Sequence, residues 1–162
     1  MTQTLESMSI SDLLAAYAAG PAACESAVAG LTGEQLRTRP VAGKWSTLEA
    51  LCHISDTEQL FADRIKRTMA MDRPLLLGAA GSIYPVPIKY QERDVREELD
   101  LIRLTRAQMV RILKLQPPHV WERTAVHSEV GLMTLWQLLQ HAVRHLALHL
   151  AAIAEKRAAM GV

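Results

Sequence analysis

Cysteine is scarce in this sequence: Cys24 and Cys52 are the only two in 162 residues, and no C-x-x-C spacing joins them. They read as reduced packing residues within helices, not as a disulfide framework or a redox motif. Aromatic residues make up only 4% of the chain and β-branched residues are few, whereas Ala and Leu abound, which favours helices over sheet. Net charge is nearly missing as well, at a formal +1, with acids and bases interspersed. That balance offers neither a groove for nucleic acid nor a basic patch for an anionic membrane. The longest apolar runs, such as Leu13 to Ala23, are too short or too interrupted to span a bilayer. The chain opens on polar Thr2, Gln3 and Glu6 where a secretory leader would be basic and then apolar, so a soluble cytoplasmic protein is expected. There is no internal repeat and no low-complexity tract. A chain of this length fits a single domain over residues 1–162 that buries about two-thirds of its unfolded surface.

What the sequence does have is histidine at regular spacing. Between Gln140 and Ile153, His141, His145 and His149 recur every fourth residue, half of the six histidines in the chain. Four residues advance an α-helix by about 400°, so neighbours in this series share a face with Cβ atoms about 5–6 Å apart. Two imidazoles so placed can grip one metal ion, the local solution used by H-E-x-x-H zinc helices. A single histidine on a helix is more often a core or surface group. A pair on an apolar helix is harder to dismiss, because each buried neutral imidazole needs a hydrogen-bond partner.

Helix signals run the length of the chain. Ser9 to Asp12 offers caps for a first long helix through Leu13, Tyr17, Cys24 and Val28, and Gly20-Pro21 in its middle should kink it or split it in two. Thr32 to Gln35 reads as one helical turn. Ser46 with Glu49 is a capping box for a second helix, preceded by the turn Gly43-Lys44-Trp45 and buried along Leu48, Leu51, Ser55, Ala62 and Ile65 to about Met71. The prolines and glycines between Asp72 and Tyr90 rule out a regular helix and mark a crossing loop long enough to run the length of a bundle. A third helix is expected from Arg93 to about Gln116, closed by Pro117-Pro118. His119 to Met133 reads as a second long connection, with His119 and His127 as loop polar groups. Thr134 with Gln137 forms another capping box and opens the last helix, to about Ala159. Four such helices with long connections describe an all-α four-helix bundle with at least one crossover, in which ligand sites form where facing helices converge.

His53 lies beside the buried stripe of the second helix, about 10 Å from its start, and His145 and His149 lie about 15–21 Å from the end of theirs. Those depths agree to within the uncertainty of helix ends if the two helices are antiparallel, and no better if they are parallel, where His145 and His149 lie about 16 and 22 Å from their helix start, so depth permits the meeting without proving it. Asp56 is one turn beyond His53, a candidate base or hydrogen-bond acceptor, and Trp45 is a candidate wall of the cleft or a packing residue.

The pattern Gly43-Lys44-Trp45-Ser46-x-x-Glu49-x-x-x-His53-x-x-Asp56, followed far downstream by His145-x-x-x-His149-Leu150-x-x-Ile153, resembles the DinB-like superfamily, which includes the bacillithiol transferases. The resemblance covers Tyr17 through Ile153 and implies an up-down-down-up bundle that binds a divalent metal ion, zinc or nickel, through His53, His145 and His149. The Leu150-x-x-Ile153 tail selects that pair over His141 and His145, leaving His141 either as a group that supports a ligand or as a histidine near the mouth. Where many relatives have an acidic residue and a glutamine, this chain has Leu146 and Ala152, and neither change removes a ligand. The resemblance further implies a homodimer and a small-molecule thiol and electrophile as partners: thiol S-transfer, or hydrolysis by an activated water. From another class comes a bundle that merely binds metal for stability or in response to stress.

Overall fold

The computed structural model describes residues 8–78 and 81–162. Four long helices carry the fold: α1 (Ile10–Val28), α3 (Thr47–Ala70), α4 (Val95–Lys114) and α5 (Leu135–Met160). A single turn, α2 (Gly33–Arg37), follows the first. The capping residues read from sequence sit where expected. Ser46 Oγ accepts from the amide of Glu49 at 3.1 Å while the Glu49 carboxylate accepts from the amide of Ser46 at 2.7 Å. Thr134 and Gln137 make the same reciprocal pair at 3.1 and 2.9 Å, as do Thr32 and Gln35. Ser46 Oγ also accepts from Gln91 Nε2 at 3.0 Å, so Ser46→Ala should cost about 1 kcal/mol or somewhat more, read as a lower denaturant midpoint.

Each long helix packs against two others: α1 and α3 each touch both α4 and α5. Their directions follow from which residues meet. Lys44 pairs with Glu155, Trp45 faces His149 and Phe61 faces His141, so α3 and α5 are antiparallel. The Asp56–Arg93 and Lys66–Gln108 pairs make α3 and α4 parallel. Gly20 lies against Leu146 and Ala27 accepts from Arg157, so α1 and α5 are parallel. The order is therefore up-down-down-up. Parallel α3 and α4 oblige the chain to return the whole length of the bundle, and the stretch from Asp72 to Tyr90 does so. No helix among the described residues is long and apolar enough to cross a membrane.

One expectation is corrected, and of the two outcomes expected at Pro21 the split does not occur. The connection from His119 to Met133 is not a loop throughout: Thr124–His127 (β2) and Gly131–Thr134 (β3) form an antiparallel hairpin, and Leu75–Leu76 (β1) from the crossover adds a parallel third strand to β2. Ala125 and His127 point inward, and His127 is only 4% exposed. Nor does Pro21 split α1, which is continuous from Ile10 to Val28. A proline at 21 cannot donate to the carbonyl of residue 17. That carbonyl accepts instead from Arg106 Nη1 at 2.8 Å, and Gly20 leaves the space through which the guanidinium passes.

The core has two apolar clusters, one around Leu13, Tyr17, Phe61, Ile65 and Met109, the other around Cys24, Leu51, Ile54, Ile102 and Ile153. Between them runs a polar seam. On α3 the change of cluster falls between Ile54 and Phe61, where Glu58 is buried against Arg106 of α4 and accepts from Tyr17 Oη at 3.2 Å. On α5 it falls between Ala142 and Leu146, where His145 projects.

Candidate metal centre

The antiparallel meeting of α3 and α5 brings His53, His145 and His149 together. His53 Nε2 and His145 Nε2 are 3.0 Å apart, and the ring centroids of the three are 4.5–5.0 Å from one another. One nitrogen from each lies within 4.8 Å of the others. Two nitrogens bound at about 2.0–2.1 Å to one tetrahedral zinc would stand roughly 3.3 Å apart, close to the observed separation.

Within the protein the cluster is only partly satisfied: His53 and His145 can share one hydrogen bond through their Nε2 atoms. Among the described residues no carboxylate joins it, and Nδ1 of both His53 and His145 is buried with no hydrogen-bond partner. Burial is the largest influence on all three and holds them neutral: it lowers the pKa of His53, takes His145 down to about 3 and His149 down to about 4, with the neighbouring imidazoles adding to the effect in the last two. Neutral imidazoles with a ring nitrogen each within 4.8 Å of the others are a donor set suited to a divalent transition metal.

An unfolded histidine protonates near pH 6.5, whereas these resist protonation when folded, so below that pH the unfolded state takes up more protons. The metal-free protein should therefore lose stability as pH falls from about 6.5 towards about 4. Denaturant midpoints at about pH 7.5 and about pH 5 measure this, and a His145→Asn, His149→Asn variant should show a smaller difference between them.

Asp56 is near but otherwise engaged. Its Oδ2 accepts from Tyr90 Oη at 2.7 Å, and Arg93 Nη1 bonds both carboxylate oxygens at 3.0 and 3.1 Å while Arg93 also pairs with buried Glu98. The carboxylate acts on His53 through its charge, which favours the protonated ring but less strongly than burial disfavours it. Trp45 walls the cluster: its ring stacks at 9° on His149, with centroids 6.3 Å apart, and tilts over His53 at 5.1 Å. Gly81 of the crossover lies so close to His53 that a Cβ there would collide with the imidazole.

Two hollows reach the cluster. One, about 250 Å³, borders His53 and His145 and extends past Phe61 to Arg64, His127 and His141. The other, about 230 Å³, borders His149 between Trp45, Ala152 and Lys156. His141 does not join the three; it packs edge-on against Phe61, with centroids 5.4 Å apart, on the wall of the first hollow. His119 lies in a short 3-10 turn away from the site. Sequence reading missed His127 and Arg64 as wall residues. The alternation Thr124-Ala125-Val126-His127, which buries every second residue, was the available sign for His127, and Arg64 had none beyond lying three turns from His53 on the same helix face. Cys24 and Cys52 are buried, with thiols pushed up to about 12, chiefly by desolvation, so neither is a thiolate near neutral pH.

The fold is similar to that of YfiT from Bacillus subtilis, described as a probable metal-dependent hydrolase with an unusual four-helix bundle topology: TM-score 0.89 at 21% identity, over 99% of this chain and 94% of that one. It is also similar to a mycothiol-dependent maleylpyruvate isomerase, with TM-score 0.73 at 8% identity over 93% of this chain, which spans 62% of the isomerase. No curated protein matches the sequence. The family pattern of the DinB superfamily matches residues 16–153, nearly the whole bundle from α1 to α5, and the chain belongs to that superfamily.

Proposed function

We propose that His53, His145 and His149 hold one divalent ion, zinc or nickel, and that the protein is a metal-dependent enzyme that joins a low-molecular-weight thiol to an electrophile. The observation that carries this reading is the convergence of three neutral imidazoles, His53 buried and His145 and His149 partly so, with no acid joining them among the described residues. An ion with three nitrogen ligands keeps a position open for an incoming thiol or water and lowers its pKa towards neutrality. The chain's residues supply the rest. Burial keeps the imidazoles in their ligating form, Trp45 fixes His149 by stacking, and the two hollows admit small molecules from either side. Because both cysteines are buried and protonated, the sulfur nucleophile has to come from the substrate.

Asp56 enters the proposal as a positioning residue and not as a base, since both its oxygens are committed to Tyr90 and Arg93. It ties the end of the crossover to α3 one turn from His53. Thiol dependence of the structurally similar isomerase supports S-transfer; the description of YfiT supports hydrolysis by an activated water as the second reading.

The test is conjugation of a panel of small thiols to monobromobimane by protein stripped of metal and reloaded with zinc or nickel. The proposal expects a rate that requires metal and disappears in His149→Ala. Metal-dependent cleavage of esters or amides with no conjugation would favour the hydrolase. A protein that binds metal, melts lower without it and catalyses neither reaction would be a metal-stapled bundle.

A further inference from the structure

Arg64 is 5% exposed, yet among the described residues no carboxylate lies within ion-pairing distance of it. Its one hydrogen bond is from Nη2 to the carbonyl of Leu77, and Nε is buried with no partner at all. A buried guanidinium has five donors to satisfy and is costly to leave unpaired. The other deeply buried arginine, Arg106, also has an unpartnered Nε, but its charge is matched by Glu58 and its Nη1 by the Tyr17 carbonyl. Arg64 stands three helical turns from His53 on the same face of α3, and side chains on a helix lean towards its N-terminus, here towards the metal centre. It lines the same hollow of about 250 Å³ as His53 and His145, with His127 and His141 on the opposite walls.

We infer that this hollow is a substrate subsite in which Arg64 pairs with a carboxylate of the small molecule whose reacting atom lies at the three histidines. The inference rests on the proposed function for its orientation and goes further by assigning a substrate class: a carboxylate-bearing thiol or electrophile. The chemistry fits on three counts. The guanidinium fork matches a planar carboxylate. His127 and His141 face the same space, and each has a ring nitrogen able to donate; His127 Nδ1 accepts from the amide of Glu129, which leaves Nε2–H as its donor. Phe61 supplies an apolar floor between the two ends, with the Arg64 guanidinium 5.9 Å from its ring centre. Glu129, the acidic residue on the rim among the described residues, is exposed and beyond ion-pairing reach of Arg64; its charge still acts on the guanidinium and discourages a second negative charge at the mouth.

Because Arg64 does not touch the metal position, anion binding can be measured without metal. The probe is succinate, titrated calorimetrically into metal-free protein, with succinamide as the uncharged control and inorganic phosphate as a competing anion. Succinate should bind and succinamide should not. Arg64→Gln should weaken succinate at least tenfold, Arg64→Lys less, and His141→Gln by a few-fold, while zinc affinity stays within about twofold of wild type in all three. Melting temperatures recorded without anion separate lost binding from lost folding: if Arg64→Gln does not fold, Arg64→Lys and His141→Gln carry the test. Equal succinate affinity in wild type and the folded variants would overturn the inference, as would no succinate binding at all or binding of phosphate in its place. Zinc binding that persists through such a result would leave the metal centre standing, so the two readings fail separately.

Discussion

Replacing His149 by Ala should abolish tight metal binding, lowering affinity for zinc more than 100-fold and eliminating any metal-dependent turnover. Mutating a residue that merely orients a ligand typically costs 10–100-fold, and loss of one of three ligands exceeds that. The fold should survive. His149 is only partly buried, on the outer side of the cluster beneath Trp45, and the caps at Ser46 and Thr134 lie on other residues. His145→Ala should lose metal equally, whereas His141→Ala, which removes a wall residue, should retain stoichiometric metal. Inductively coupled plasma analysis of the three purified variants against wild type measures the contrast, with circular dichroism to establish that each is folded.

Arg106→Met should be the most damaging single substitution in the scaffold. It leaves Glu58, 1% exposed, as an uncompensated buried carboxylate and strips the Tyr17 carbonyl of the donor that stands in for the missing Pro21 amide. Removing one partner of a buried pair costs about 3–5 kcal/mol. At roughly 2–4 °C per kcal/mol for a chain of this size, that lowers Tm by on the order of 10 °C. Glu58→Leu combined with Arg106→Met should recover much of the loss, because no lone charge remains, but not all of it, since the carbonyl is still bare. Gly20→Ala supplies a second check. A Cβ there drives into the Arg106 guanidinium and lies 2.7 Å from Leu146 Cδ2, so the substitution should be strongly destabilising in wild type and less so beside Arg106→Met. Calorimetric melting of the four variants tests the coupling, and additive losses would show that the arginine does not occupy that space in solution.

The sequence made the frame of this protein legible because its helix starts carry side-chain signals. Ser46 with Glu49 and Thr134 with Gln137 fix where α3 and α5 begin, and the register of those helices puts His53, His145 and His149 at compatible depths. Two features could not be seen that way. Pro21 reads as a helix breaker when only its own helix is considered, and what rescues it is an arginine 85 positions later, a tertiary contact with no local trace. The hairpin at Thr124–His127 and Gly131–Thr134 is too short and too mixed in composition to outweigh a loop reading, and its pairing with Leu75–Leu76 is non-local. Losing the hairpin also hid one wall of the cavity beside the histidines. Asp56 shows the same limit: proximity to His53 along the helix was visible, but its capture by Tyr90 and Arg93 depends on how the crossover returns.

The most direct measurement is X-ray absorption at the zinc edge of wild-type protein loaded with one equivalent of zinc. Three imidazole nitrogens at about 2.0–2.1 Å, with the outer-shell scattering of histidine rings, are the predicted spectrum. A site with fewer imidazoles, or a spectrum unchanged in His149→Ala, would contradict the three-histidine centre on which the functional proposal rests.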